Sequence, residues 1–197
     1  MFYIACTRFN HITYDENITY RMSTNIPVIY GTPLKIREIY PDGALLFVVE
    51  MNNDTNKIEG IGLIRNSQVL DKRYKIYQNS EYNRYIYKGQ YWLKREQLGL
   101  EIIETFDTIL FKGKSHLKCR TGITIITEKL FTHWDYDFTS LKQNVKRLFL
   151  NHFKICEEQV LEQEQEQVLK QEQVLKQEQV LKQESEIFEI IVKKKIT

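Results

Sequence analysis

Hydrophobic positions change their period several times along the chain, and each change predicts an element. Residues 2–7 form a short apolar run that predicts an opening strand. Residues 10–25 are polar and tyrosine-rich, which predicts an irregular connection or a short helix. Pro27, Gly31 and Pro33 then punctuate residues 26–39. The clearest local signal is a hairpin. Residues 44–50 (ALLFVVE) are apolar and rich in β-branched side chains, residues 52–56 (NNDTN) are a turn cluster, and residues 58–65 (IEGIGLIR) return. Gly60 and Gly62 in the return strand predict either a plain bulge or close approach by another backbone or a ligand.

Residues 72–77 and 84–88 read as two strands around a turn at 78–81. In the second, Tyr85 and Tyr87 share one face while Arg84, Ile86 and Lys88 share the other. Helical spacing places Ile102, Ile103, Phe106, Ile109 and Leu110 on one stripe of residues 101–111, with Gly113 as C-cap. Residues 123–127 (ITIIT) predict a buried strand. A last helix runs through Phe153, capped by Thr139 or Ser140, with Leu141, Val145, Leu148, Phe149 and Phe153 on its apolar side. Beyond residue 156 the sequence becomes repetitive, with EQVLKQ three times in tandem over residues 166–183. Each unit sets Glu four residues before Lys, the favourable orientation on a helix. A period of six advances about 600°, so successive Val-Leu pairs fall about 120° apart and form no continuous stripe. The reading is two segments: a domain over residues 1–156 and a low-complexity tail over 157–197, helical or disordered, with self-association or a protein partner as its possible role.

Charge sharpens this division. The net charge of +2 is the sum of +6 over residues 1–156 and −4 over residues 157–197. Three cysteines (Cys6, Cys119, Cys156) share no CxxC spacing, so neither a disulfide framework nor a zinc site is indicated and an intracellular compartment fits. The first ten residues are too short an apolar run for a signal peptide, and no run approaches a membrane span. With 23 isoleucines against two alanines, the composition points to an A/T-rich genome. Some large DNA viruses and protists carry such genomes; for a large DNA virus the location would be host cytoplasm or the virion.

Candidate chemistry concentrates in residues 72–95, which hold six tyrosines, one tryptophan and seven basic residues against one acid, Glu81. Flat rings stack bases and cations hold phosphates, so this composition fits a nucleic-acid surface. The candidate base-stacking residues are Tyr30, Trp92, Tyr82, Tyr85 and Tyr91. The candidate phosphate ligands are Lys72, Arg73, Lys75, Arg84, Lys88, Lys94 and Arg95, joined by Lys112, Lys114, Lys118 and Arg120 of the loop KGKSHLKCRTG. A solvated basic strand pair and a solvated loop are the plain alternatives. Asn66, Asn79 and Asn83 are candidates to read a base edge. His11, His116, His133 and His152 share no metal-ligand spacing, and no HExxH, P-loop, dinucleotide or GxSxG motif occurs. No catalytic residue, metal or cofactor is therefore assigned, and His133-Trp134-Asp135 reads as a polar loop.

The order of elements, with PVIYGT (residues 27–32) and ALLFVVE followed by GIGLI, resembles the PUA-like superfamily over about residues 1–130. It is similar to the YTH and EVE branches. The resemblance implies a mixed α/β (α+β) fold: a small β-barrel with flanking helices. It also implies a reader of a base flipped into an aromatic pocket, commonly a methylated adenine or cytosine. On it Tyr30 is the cage wall, Tyr standing where the family has Trp, and Trp92 is a second wall by its chemistry. The expected function is a non-enzymatic nucleic-acid-binding protein, for RNA rather than DNA. Two other classes stay open: a structural protein, viral in the reading above, assembling through its tail, and a nuclease-type enzyme on a PUA-like fold.

Overall fold

The computed structural model of the protein describes residues 2–154. The EQVLKQ repeat, Cys156 and the boundary at residue 157 lie outside the described residues.

Strand β1 (Phe2–Phe9) passes into helix α1 (His11–Thr24) through Asn10 alone. Asn10 Oδ1 accepts from Thr13 N at 2.8 Å and Thr13 Oγ1 accepts from Asn10 N at 3.0 Å, a reciprocal cap that starts the helix. The segment expected to be irregular or a short helix is thus a helix of 14 residues. Its buried residues are Asn17 and Arg21, so polar side chains occupy the inner face and conceal the helical period. Strand β2 (Val28–Thr32) follows, between the two prolines.

Strands β3 (Leu45–Asn52) and β4 (Lys57–Arg65) form the expected hairpin, with Asn56 left-handed at its turn (φ 55°). Glu50 pairs with Gly60 and Met51 with Ile58, leaving Glu59 as the extra residue of a bulge. Strands β5 (Tyr85–Gly89) and β6 (Tyr91–Lys94) are separated by Gln90 alone. Helix α2 (Leu100–Ile109), the two-residue strand β7 (Thr124–Ile125) and helix α3 (Phe138–Phe153) follow within the described residues.

The main sheet has the order β6-β4-β3-β1-β7, with β1 and β3 parallel; β2 and β5 form a separate antiparallel pair. The small barrel expected from the sequence does not close. The chain crosses from one sheet to the other at Gly89–Gln90, where an added Cβ on Gly89 would lie 1.8 Å from Leu63 O. Elsewhere packed side chains, not strand pairing, join the two sheets. One face of the main sheet packs Phe47, Val49, Ile61 and Leu93 with Ile102 and Phe106 of α2 and Val145 and Phe149 of α3. The other face packs Leu46, Val48 and Ile64 with Val28, Tyr30 and Tyr87 of the strand pair. β3 is buried on both faces, which is why it reads as a continuous apolar run.

Three further expectations are corrected. Residues 72–77 form an irregular arm: Ile76 N and Tyr77 N donate to Asn83 Oδ1 at 2.9 and 3.0 Å, so a side chain replaces the ladder. Within 123–127 only Ile125 and Thr124 pair, with Ala5 and Cys6. Asp137, two or three residues earlier than expected, caps α3, accepting from Thr139 N at 2.8 Å and Ser140 Oγ at 2.6 Å. Among the described residues no helix is long and apolar enough to cross a membrane.

Candidate nucleic-acid interface

The two residues expected to wall a cage, Tyr30 and Trp92, do converge, but around the protein's own arginine. Arg21 reaches from α1 onto the sheet, with its guanidinium carbon 5.3 Å from the Tyr30 ring centre and 5.4 Å from that of Trp92. Glu50, fully buried in the central strand β3, accepts from Arg21 Nη2 at 2.5 Å, Tyr30 Oη at 2.7 Å and Trp92 Nε1 at 3.1 Å. Burial opposes the Arg21 charge, yet the Glu50 carboxylate holds its pKa above the ordinary arginine value. Burial, reinforced by the same carboxylate, pushes the Tyr30 phenol far up, so it stays a donor. Gly60 and Gly62 make the room: a Cβ would fall 2.8 Å from Trp92 Nε1 at the first and 2.3 Å from Tyr30 Oη at the second. The close approach anticipated from this glycine pair is therefore made by the chain itself: by side chains at Gly62, and at Gly60 by Trp92 and by the backbone at Leu93 O, 2.6 Å from an added Cβ. Tyr30, 1% exposed, is a core residue.

A pocket of about 220 Å³ lies elsewhere, where the ends of β1 and β2 meet without pairing. Thr7, Arg8 and Phe9 come from β1, Asn10 and Thr13 from the start of α1, and Gly31 and Thr32 from β2. Tyr77 and Tyr82 contribute aromatic walls, with ring centres 6.0 Å apart and planes at 84°. Thr121 and Gly122, the end of the second basic segment, line it too, as does Asn53 of the hairpin turn. Lys118 O accepts from Arg8 Nη1 and from Asn53 Nδ2, each at 2.9 Å, so the segment is tied to this rim. Asn53 Oδ1 is buried without a hydrogen-bond partner. The lining offers hydroxyls, amides and one guanidinium, and no carboxylate. It suits an uncharged, flat, hydrogen-bonding group.

Tyr77 also lines a larger, open cleft of about 1320 Å³ between α1 and the arm. The arm wall carries Lys72, Arg73 and Lys75, and the segment after it adds Glu81 and Arg84; the α1 wall carries Asp15, Glu16 and Tyr20. None of these four cations has an ion pair among the described residues; Lys72 and Arg84 rest over the Tyr74 and Tyr85 rings. The arm is pinned where Gln78 N donates to Glu16 Oε1 at 3.2 Å and Asn17 Nδ2 donates to Tyr77 Oη at 3.0 Å. Burial raises the Tyr77 pKa well above the phenol range.

The remaining candidates separate into used and available groups. Tyr82 is half-buried in the pocket wall. Tyr85 is half-buried beneath Arg84, while Tyr87 turns inward and accepts from Ile36 N at 3.1 Å. Tyr91 sits on the opposite face of the sheet against Phe153, ring centres 4.8 Å apart, away from the pocket. Lys88 contacts the Tyr74 hydroxyl and pairs with Asp71. Arg95 grips both oxygens of Asp107, at 3.1 and 2.7 Å, together with Ile58 O. Lys94 pairs with Glu96, and Lys118 donates to Asn56 Oδ1 at 2.6 Å. Lys112, Lys114 and Arg120 are exposed without ion pairs among the described residues. Asn66 donates to Tyr40 O and Pro41 O, Asn79 accepts from Glu81 N, and Asn83 binds the arm, so all three asparagines are spent on local structure. Sequence reasoning missed Arg8, Asn10, Thr13 and Asn53. The spacing of Asn10 and Thr13 directly after a strand was the available signal, being that of a helix start. Among the described residues no group of three or more His, Cys, Asp or Glu is placed to hold a metal ion. Comparison of the chain with protein-family models, with curated proteins and with solved structures gives no match.

Proposed function

We propose that the chain is a nucleic-acid-binding protein that takes an unpaired base into the pocket between β1, β2 and the turn of α1, with RNA as its ligand. The observation that carries this reading is the position of the pocket. Tyr82 of the first basic aromatic segment and Thr121–Gly122 of the second, distant in sequence, line one cavity of about 220 Å³. Tyr77 and Tyr82 supply ring surface, worth about 1–3 kcal/mol per stacked base. Thr7, Thr32 and Thr121 hydroxyls and the Asn10 and Asn53 amides line the same cavity and suit a base edge that carries both donors and acceptors. Arg73, Lys75, Arg84, Lys112, Lys114 and Arg120, without ion pairs among the described residues, hold phosphates. A PUA-like ancestry fits an open version of the barrel. On this reading recognition of a methylated base belongs to Tyr77 and Tyr82, since Arg21 occupies the space between Tyr30 and Trp92.

Fluorescence anisotropy with short RNA and DNA oligonucleotides, methylated and plain, tests it. Affinity falls with salt, the Arg73→Ala/Lys75→Ala variant flattens that slope, and Tyr82→Ala weakens binding about tenfold or more. Salt-independent binding, or full affinity in both variants, overturns the reading.

A further inference from the structure

The two walls of the open cleft carry opposite charge, and this bears on what form of nucleic acid the cleft admits. Lys72, Arg73 and Lys75 lie on the arm, and Asp15 and Glu16 face them from α1 with the half-buried Tyr20. Asp15 is well exposed, its side chain 61% accessible, and among the described residues it pairs with His11 at 3.4 Å. A phosphate chain is attracted by one wall and repelled by the other. A duplex presents two phosphate chains on opposite sides, so seating one on the arm drives the other toward the carboxylates. A single strand has one charged edge and one base edge. Its phosphates match the arm, while carboxylates accept hydrogen bonds from base amino groups and Tyr20 offers a stacking face.

From this bipolar cleft we propose that the ligand is a single strand, laid with its phosphates on the arm and its base edges toward α1. The inference rests on the nucleic-acid reading above and adds the strandedness and orientation of the ligand. Since Tyr77 lines both cavities, nucleotides flanking the base in the pocket occupy this cleft. Asp15 is then the residue that excludes duplex.

The test measures binding of the full-length protein to one RNA sequence as a single strand and as a blunt duplex, in the wild type and in Asp15→Lys and Asp15→Asn. The expected result is at least about tenfold tighter binding of the single strand. Asp15→Lys narrows that gap at least about threefold by strengthening duplex binding, with Asp15→Asn intermediate. Equal binding of both forms, or a gap unchanged by Asp15→Lys, overturns the inference while leaving the pocket reading intact. Binding of neither form overturns both, and Tyr82→Ala in parallel shows which contact is at work.

Discussion

Gly62→Ala is the sharpest probe of the buried cluster beneath α1. Gly62 lies in β4, paired on one side with Val48 of β3 and on the other with Trp92 of β6, so its backbone has little room to retreat. A Cβ there falls 2.3 Å from Tyr30 Oη and 2.8 Å from Val28 Cγ1. Restoring ordinary contact moves the phenol by about 1 Å. That takes the Tyr30–Glu50 hydrogen bond from 2.7 Å to about 3.7 Å, outside bonding range. Overpacking costs about 1–3 kcal/mol, and removing a donor from a buried carboxylate about 1–3 kcal/mol more. The sum centres on about 4 kcal/mol, offset by less than about 1 kcal/mol of unfolded-state entropy lost when Ala replaces Gly. For a chain of this size the change lowers Tm by about 8–16 °C. Gly99→Ala, where a Cβ meets nothing within 4 Å, is the control and loses only the N-cap preference of α2, about 1 kcal/mol. Urea unfolding of the two variants, of Tyr30→Phe, and of Gly62→Ala/Tyr30→Phe completes a double-mutant cycle. The double variant loses at least about 1 kcal/mol less than the sum of the singles, because the offending hydroxyl is gone. Additive losses, or a Gly62→Ala variant as stable as Gly99→Ala, refute the reasoning.

Other consequences can be checked singly. Asn17→Leu leaves Tyr77 Oη and Ile29 O without the donor they now share, costs about 1–3 kcal/mol in urea unfolding and frees the arm, which hydrogen exchange at residues 76–78 reports. Burial pushes the Cys6 thiol up to about 12, so in a Cys156→Ser background a thiol reagent at neutral pH labels only exposed Cys119 until the protein is unfolded. The Asp137 carboxyl is held below the usual carboxylate value by Ser140 Oγ and by the N–H of Thr139 and then of Ser140. Its contribution is therefore complete above that ordinary value and is lost as pH falls through the lowered one; Asp137→Asn removes this part of the acid limb of the Tm–pH curve.

Legibility from sequence followed which groups occupy the inside. The β3–β4 hairpin was readable because β3, buried on both faces, is a continuous apolar run followed by a turn cluster, and α2 because its apolar side chains recur at a period near four. Helix α1 was not, because its inner face is Asn17 and Arg21, whose partners Glu50, Ile29 O and Tyr77 come from β3, β2 and the arm. The arm misled for the converse reason: Tyr74 and Ile76 alternate with Arg73 and Lys75 as in a strand, yet Asn83 satisfies its backbone. Tyr30 and Trp92 were rightly linked to each other, but Glu50 and Arg21 decide what lies between them. The pocket was invisible because it forms where β1 and β2 fail to pair, an outcome of topology carried by no local motif.

The most direct test of the account is amide chemical-shift mapping of the full-length protein titrated with a short single-stranded RNA. The account predicts shifts concentrated at Arg8, Asn10, Thr13, Gly31, Asn53, Tyr82 and Gly122 around the pocket, with a second set along residues 72–77 of the arm. Shifts confined to the α2–α3 face of the sheet, or none at concentrations that saturate anisotropy, contradict it.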